Sequence, residues 1–331
     1  MSGTLPMDSA AHRTSAAILL DEPGEFAPIA LFAYNRPAHT QETLATLRRN
    51  DLAPQSDLFI FCDGPKNEAD VARVQEVRRC IHGVDGFRSV KAIEREGNLG
   101  LANSVITGVT QLCQEYGRAI AVEDDLVTTR DFLTFLNRAL IRYKNESRVL
   151  SVSGFNFALE PPQDYGYDAF YSYRSSSWGW GTWNDRWKRV DWNVSDYADF
   201  CSDNNQQRLF RRGGDDLMGM LTMQMSGQID SWAIRWSYAH FKNNGVAVLP
   251  TASKVYNIGL DGSGTHCSYN SARQTVLVAG SDQNYRFPDA SEPDPYFVAE
   301  VRRKCRRSLP RRLVDYCRSQ LKRAGILTYR R

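Results

Sequence analysis

The feature that most constrains this chain is a rhythm in its first half. Apolar runs at residues 28–34, 57–62 and 119–122, with further strand candidates at 88–94 and 149–153, each give way to polar or turn-forming residues. Stretches with helical spacing lie between them. Residues 38–49 read as one helix. Val71, Val74, Val77 and Ile81 mark a second, and Leu101, Val105, Val109 and Leu112 a third. Phe132, Phe135, Leu136, Ala139, Leu140 and Tyr143 then give a stripe at i, i+3, i+4 and i+7. A strand covered on both faces reads as a continuous apolar run, and parallel strands need long, usually helical, crossovers. The alternation therefore predicts repeated β-α-β units and an α/β fold, a Rossmann-like, mostly parallel sheet flanked by helices.

The rhythm breaks at Glu160-Pro161-Pro162. Beyond it the chain is aromatic and irregular, with one helix expected from 231 to about 243, stopped near Gly245. A Pro- and Asp-rich stretch at 288–295 reads as a linker. The expected organisation is an N-terminal arm at 1–26, a first half at 27–157, a second half of the same domain at 158–287, and a linker with a basic tail at 288–331.

That tail is hidden in the average. The formal charge of the 331 residues is +3, but residues 301–331 hold twelve Lys and Arg against one Asp. The remaining 300 residues carry 29 basic and 37 acidic groups. An acidic body with a basic end suggests a tail that meets a polyanion. Leu309, Leu313, Cys317 and Leu321 recur every four residues, so 309–324 is expected to form a basic amphipathic helix suited to an anionic membrane surface. The composition, 42% apolar and 24% charged, excludes a mainly disordered or collagenous chain. No run approaches the length of a transmembrane helix, and the apolar run at 16–20 is too short for a signal-peptide core. Seven cysteines, an odd number with no C-x-x-C, argue against a disulfide framework or zinc cassette and fit a cytoplasmic protein.

Five constellations could carry chemistry. Glu123-Asp124-Asp125 follows an apolar strand, and ligands of open parallel sheets bind beyond the carboxyl ends of strands. Three adjacent carboxylates repel one another unless a cation or hydrogen-bond donors compensate, and their oxygens suit Mg2+ or Mn2+. A solvated acidic loop with a helix cap is the plainer alternative. Asn35-Arg36-Pro37, Asp63-Gly64-Pro65 and the segment from Asn98 to Asn103 follow the first three strands and so share one rim. Each alone is ordinary turn chemistry; together they offer an Arg clamp for a diphosphate and an Asp acceptor for base or ribose. All seven tryptophans lie between 178 and 236, and an indole face suits the C–H face of a sugar, although most must be core. Asp230 precedes the expected helix as an N-cap or as a general base. The glycine-rich stretch 259–267 includes Gly262, Ser263 and His266, able to approach phosphate through backbone N–H groups.

In their order, PIALFAYNRP, EREGNLGLANSVITGV, AVEDDLVTTRDFLTFL followed by SVSGFN, SSSWGWGTW, and DSW with VLPTASKVYNIGLDGSGTH resemble nucleotide-sugar glycosyltransferases of the GT-A fold. The likeness covers residues 28–267. It is closer to the animal N-acetylglucosaminyltransferase family that adds the first GlcNAc to the mannose core of N-glycans, and extends to bacterial sugar transferases labelled hemolytic protein HlpA-like. The resemblance implies a nucleotide-sugar-binding first half and an acceptor-binding, catalytic second half. It implies nucleotide contacts from Arg36 and Asp63, with Asn98 and Asn103 on the same side. Glu123 and Asp124 would meet the ribose and donor sugar, and Asp125 would be the protein ligand of Mn2+ (or Mg2+), with His266 a further metal candidate. Gly262 and Ser263 would close over the diphosphate. Asp230 would be the catalytic base of an inverting transfer, and Trp178, Trp180 and Trp232 would line the acceptor site.

The implied donor is a UDP-sugar, best read as UDP-GlcNAc. The implied acceptor is a glycan or lipid-linked oligosaccharide in cell-surface polysaccharide assembly. One departure concerns the base: the animal family has two adjacent acids before its Trp, whereas Asp230 is followed here by Ser231. The membrane anchor of the Golgi enzymes is not seen, which favours a bacterial cytosolic protein, peripheral at the inner membrane through 301–331. Two rivals are a non-catalytic nucleotide-sugar or glycan-binding protein of the same fold and a nucleotidyltransferase. The latter would show a Gly- and Lys/Arg-rich loop after the first strand, where Tyr34-Asn35-Arg36-Pro37 offers one basic residue and no glycine. Nucleic acid is not expected as a partner, because no recognition motif accompanies the tail and the body is acidic.

Overall fold

A computed structural model describes residues 26–261, 277, 284–289 and 292–306. Eight strands form one sheet in the order β3-β2-β1-β4-β8-β6-β9-β7. Its first side is parallel throughout: β1 (Ile29–Ala33), β2 (Asp57–Cys62), β3 (Ser89–Glu94) and β4 (Arg118–Glu123). On the other side β6 (Val149–Ser153) and β9 (Val246–Pro250) pair in parallel. Two antiparallel strands complete that side: β8 (Trp180–Trp183) between β4 and β6, and β7 (Ala169–Ser172) at the edge. The expected α/β class with a mostly parallel sheet is what the chain adopts.

Alternation along each strand divides the core into two layers. Ile29, Leu31 and Ala33 of β1 point to one face, where they meet Leu44 and Leu47 of α1 (Pro37–Arg48), Val77 and Ile81 of α2 (Val71–His82), and the stripe of α4 (Phe132–Arg142). Ala30 and Phe32 point to the other, against Val105, Val109 and Leu112 of α3 (Leu101–Tyr116) and Trp236 of α9 (Trp232–Lys242). In β1, β2 and β4 both faces are buried, which is why these strands carry no polar alternation, whereas β3 at the sheet edge is part-exposed.

The second half is richer in structure than its sequence suggests. Short helices α5 (Asn184–Trp187), α6 (Tyr197–Ser202), α7 (Asn204–Phe210) and α8 (Leu217–Met225) precede α9. Phe200, Phe210, Leu221, Ile234 and Tyr238 bind α6 to α9 into a satellite core, while Trp187 of α5 joins the main core. A second, two-stranded sheet pairs β5 (Leu126–Thr128) with β10 (Val255–Asn257), antiparallel and in the register Asn257 opposite Leu126.

The break expected at 288–295 is anchored rather than free. The hydroxyls of Tyr143 and Tyr171 both donate to the Pro288 carbonyl at 2.9 Å. Helix α10 (Pro295–Lys304) then packs back on the sheet, its Phe297 stacked on Phe170 of β7 at 4.1 Å. The basic helix expected at 309–324 lies outside the described residues, as does the arm over residues 1–25. Among the described residues no helix is long and apolar enough to cross a membrane.

Candidate active site

The order β3-β2-β1-β4 fixes where a ligand can sit. The chain runs outward from β1 through β2 to β3, then returns to place β4 on the other side of β1. The topological switch point of the parallel sheet is therefore between the carboxyl ends of β1 and β4. Arg36 follows β1, and Glu123, Asp124 and Asp125 end or follow β4.

Local rules position Arg36. Pro37 opens α1, its fixed φ and missing N–H costing nothing there. The Arg36 carbonyl receives Thr40 N–H and Thr40 Oγ1, each at 2.9 Å. With its backbone held, the guanidinium crosses the switch point, bonding Asp124 through Nη2 and Asp125 Oδ2 at 3.0 Å. Burial opposes the charge on Arg36, but the two carboxylates outweigh it and raise its proton affinity.

One guanidinium faces three acids, and the excess negative charge shows in their proton affinities. Burial, then Asp125 and Asp124, push Glu123 well above the usual carboxylate range. Burial drives Asp124 up to about 6 despite Arg36 beside it. The floor of this acidic pocket is aromatic. Trp232 lies beside Glu123 and stacks on Trp180 at 5.0 Å, with Trp187 and Trp236 behind.

That aromatic floor corrects the sequence expectation for two tryptophans. Trp180 and Trp232 are 1% and 2% exposed, packed ring on ring in the core, so neither presents a free face to a sugar. The region needs this much apolar area to close α9 over the sheet. Removing a large core aromatic costs about 3–5 kcal/mol, so a Trp180 substitution would report stability before ligand contact. Trp178 is also largely covered, at 9%, edge-on to Phe155 at 4.4 Å.

The small sheet supplies the opposite wall. It is held by a buried ion pair between Lys254 and Asp131 at 2.7 Å. Tyr285 adds a hydroxyl to the same Asp131 oxygen at 2.7 Å, and Thr129 occupies the other. So clamped, β10 and the turn after it lie against Asp125. Ile258 N–H donates to the Asp125 carbonyl at 2.9 Å, and Asn257 Nδ2 to its Oδ1 at 3.3 Å. Gly259 approaches so closely that a Cβ would fall 2.2 Å from Asp125 Oδ2 and 2.9 Å from Arg36 Nη1. Asn257 is not among the site residues expected from sequence, because its place depends on β10 pairing with β5, and Gly259 is expected only as the first residue of the glycine-rich stretch 259–267.

Other expected site residues lie along the same rim but are already engaged. Asp63 follows β2; its carboxylate accepts Arg95 Nη1 at 2.7 Å and Leu99 N–H at 3.0 Å. A base contact would have to use its remaining lone pairs. Asn98 bridges the Gly64 carbonyl at 3.2 Å and Gly100 N–H at 3.0 Å, and Asn103 donates to Leu99 O at 3.1 Å. The two amides brace the turn that leads into α3. Asp230 stands before α9, with its side chain 61% exposed and paired to Arg235 at 3.0 Å. Ser231, not Asp230, caps the helix, its hydroxyl accepting Ile234 N–H. Trp232, two residues on, touches Glu123, so this end of α9 borders the acidic pocket. Gly262, Ser263 and His266 fall outside the described residues.

The donor set fits a hard divalent cation. It consists of carboxylate oxygens in excess over the single guanidinium, and Asn257, whose nitrogen meets Asp125, has a buried amide oxygen without a hydrogen-bond partner among the described residues. Among the described residues no three His, Cys, Asp or Glu side chains form a ready-made metal cluster. A cation here would therefore take part of its coordination from a ligand.

No protein-family model matches this chain, and no curated protein matches it. Among solved structures it is similar to the mannosyltransferase PcManGT from Pyrobaculum calidifontis in complex with GDP-Man and Mn2+. The identity is 12% over 67% of this chain and 74% of that one, with a TM-score of 0.36.

Proposed function

We propose that this protein is a metal-dependent, inverting glycosyltransferase of the GT-A type. It would move a sugar, best read as GlcNAc, from a UDP-sugar to a hydroxyl of a glycan or lipid-linked acceptor. One observation carries the reading: at the switch point of a parallel sheet, a single arginine faces three buried or half-buried carboxylates, with Gly259 closely packed against Asp125. The order of sequence motifs shared with sugar transferases supports it.

Asp125, with Asn257 beside it, would hold Mn2+ or Mg2+. When bound, the ion neutralises the donor diphosphate and makes it a better leaving group. Arg36 would turn from the carboxylates toward phosphate oxygens, for which a guanidinium fork is well matched. Glu123, whose environment favours its protonated form, can donate a hydrogen bond to a ribose or sugar oxygen. Asp63 and the braced turn at 97–100 would bound the nucleotide. Asp230, exposed at the head of α9, would take the proton of the acceptor hydroxyl as that oxygen attacks the anomeric carbon. The nucleoside diphosphate departs from the opposite face, and the configuration at the anomeric carbon inverts. The basic residues of 301–331 would dock the enzyme on an anionic membrane where a lipid-linked acceptor waits.

Asp230→Asn tests the assignment. Sugar transfer should fall by a hundredfold or more, on the order expected for a lost general base, while UDP-sugar binding by calorimetry stays unchanged. Transfer within a few-fold of the parent would move the base elsewhere.

A further inference from the structure

Asn257 ends β10 and is 2% exposed. Its amide nitrogen is engaged with Asp125 Oδ1 at 3.3 Å, but its amide oxygen is buried and has no hydrogen-bond partner among the described residues. A buried acceptor left without a donor is costly, and nearly all such groups in folded proteins are satisfied by something. Two features tie the missing partner to the Asp125 site. The oxygen shares a carbon with the nitrogen that meets Asp125 Oδ1. The backbone of 257–259 is registered on Asp125, through Ile258 N–H to the Asp125 carbonyl and through the pairing of Asn257 with Leu126.

We propose that Asn257 is a ligand of the same divalent cation as Asp125, its side-chain oxygen serving as a neutral second donor. This deepens the metal-dependent reading above and rests on it. An amide oxygen is a hard donor that suits Mg2+ or Mn2+. It adds no charge to a corner that already holds three carboxylates. The N–H bond to Asp125 holds the amide at the site before the ion arrives, and the amide would turn its oxygen toward the ion on binding.

The experiment uses the full chain and Mn2+, with binding followed by the loss of the free-ion electron paramagnetic resonance signal, with and without saturating UDP. Asp125→Asn should abolish binding. Asn257→Leu, similar in size but without the oxygen, should weaken it at least tenfold. Asn257→Asp separates the two atoms of the amide: it keeps an oxygen and loses the N–H donor. As a ligand it should bind Mn2+ at least as tightly as the parent, with a lower melting temperature in the absence of metal that Mn2+ restores. If Asn257→Asp binds as weakly as Asn257→Leu, the N–H is the working group and the proposal falls. If Asn257→Leu binds Mn2+ like the parent but loses UDP-sugar affinity, the oxygen serves the sugar and the proposal again falls, with the metal reading intact. A parent that binds no Mn2+ in either condition overturns both. Should Asn257→Leu fail to melt cooperatively, Asn257→Asp decides alone.

Discussion

Arg174, which is buried, and Arg36, which is half-buried, both face aspartates, and they do different things. Arg174, just after β7, meets Asp216 with both Nη atoms, at 2.8 and 3.0 Å, and also donates to the Gly213 carbonyl. One positive charge answers one negative charge, and most of the donors are used. Arg36, at the switch point, reaches Asp124 and Asp125 with one nitrogen while Glu123 stands close behind. The first arrangement is complete and ties the α7–α8 region to the sheet. The second is one cation short of balance, and a fold keeps such a deficit where a ligand can use it. The contrast separates an ion pair that serves structure from one that awaits a partner, and it can be tested from both ends.

The largest effect should come from breaking the balanced pair. Arg174→Met strands Asp216 without water, and chemical denaturation should show a loss of about 3–5 kcal/mol. Asp125→Asn, which relieves repulsion, should change stability by about 1 kcal/mol or less while removing Mn2+ binding. Equal destabilisation by the two variants would erase the distinction.

Next in size is a third buried group, His240, which is balanced in its neutral form. Its Nδ1 lies 2.9 Å from the Trp236 carbonyl and so carries the proton, leaving Nε2 to accept from Ser151 Oγ at 2.8 Å. Burial lowers its pKa to about 4, from the 6.5 of a free imidazole. The unfolded chain then binds the proton first, so this stability is present above pH 6.5 and is lost as the pH falls toward 4. The loss should reach roughly 3 kcal/mol in acid denaturation curves. A stability flat between pH 4 and 6.5, once the carboxylates are allowed for, would contradict the buried neutral imidazole.

The smallest of the three sharpens the unbalanced site. Gly259→Ala forces a methyl against Asp125, and should cost about 1–3 kcal/mol as an overpacked contact. Mn2+ affinity should fall with it, since Asp125 must move. An alanine variant with parental affinity and melting temperature would mean that the turn yields freely and that the close approach is incidental.

The same two sides of the molecule differ in how far the sequence could be read. The β1 to β4 side was legible almost residue for residue, with residues 57–62 expected and found as a strand. Strands buried on both faces leave a one-dimensional mark that needs no partner to interpret. The far side left no such mark. The four residues of β8, Trp-Gly-Thr-Trp, look like an aromatic surface motif until the strand is seen wedged antiparallel between β4 and β6. Helices α5 to α8 are between four and nine residues long, too short for a periodic stripe. For the site, the acids and Arg36 could be gathered from strand ends. Asn257 could not, because an unsatisfied oxygen exists only once burial is known. Asp230 was expected as base or cap, and the cap proved to be its neighbour Ser231.

Asn257 and Asp125 are 132 positions apart in the chain. During synthesis at about 5–20 residues per second, the acids of β4 therefore leave the ribosome roughly 7 to 26 seconds before the strand that completes their corner. Over that interval the first four strands can pair, but Asp125 has no Asn257 beside it. The growing chain can acquire its sheet well before it can acquire its chemistry.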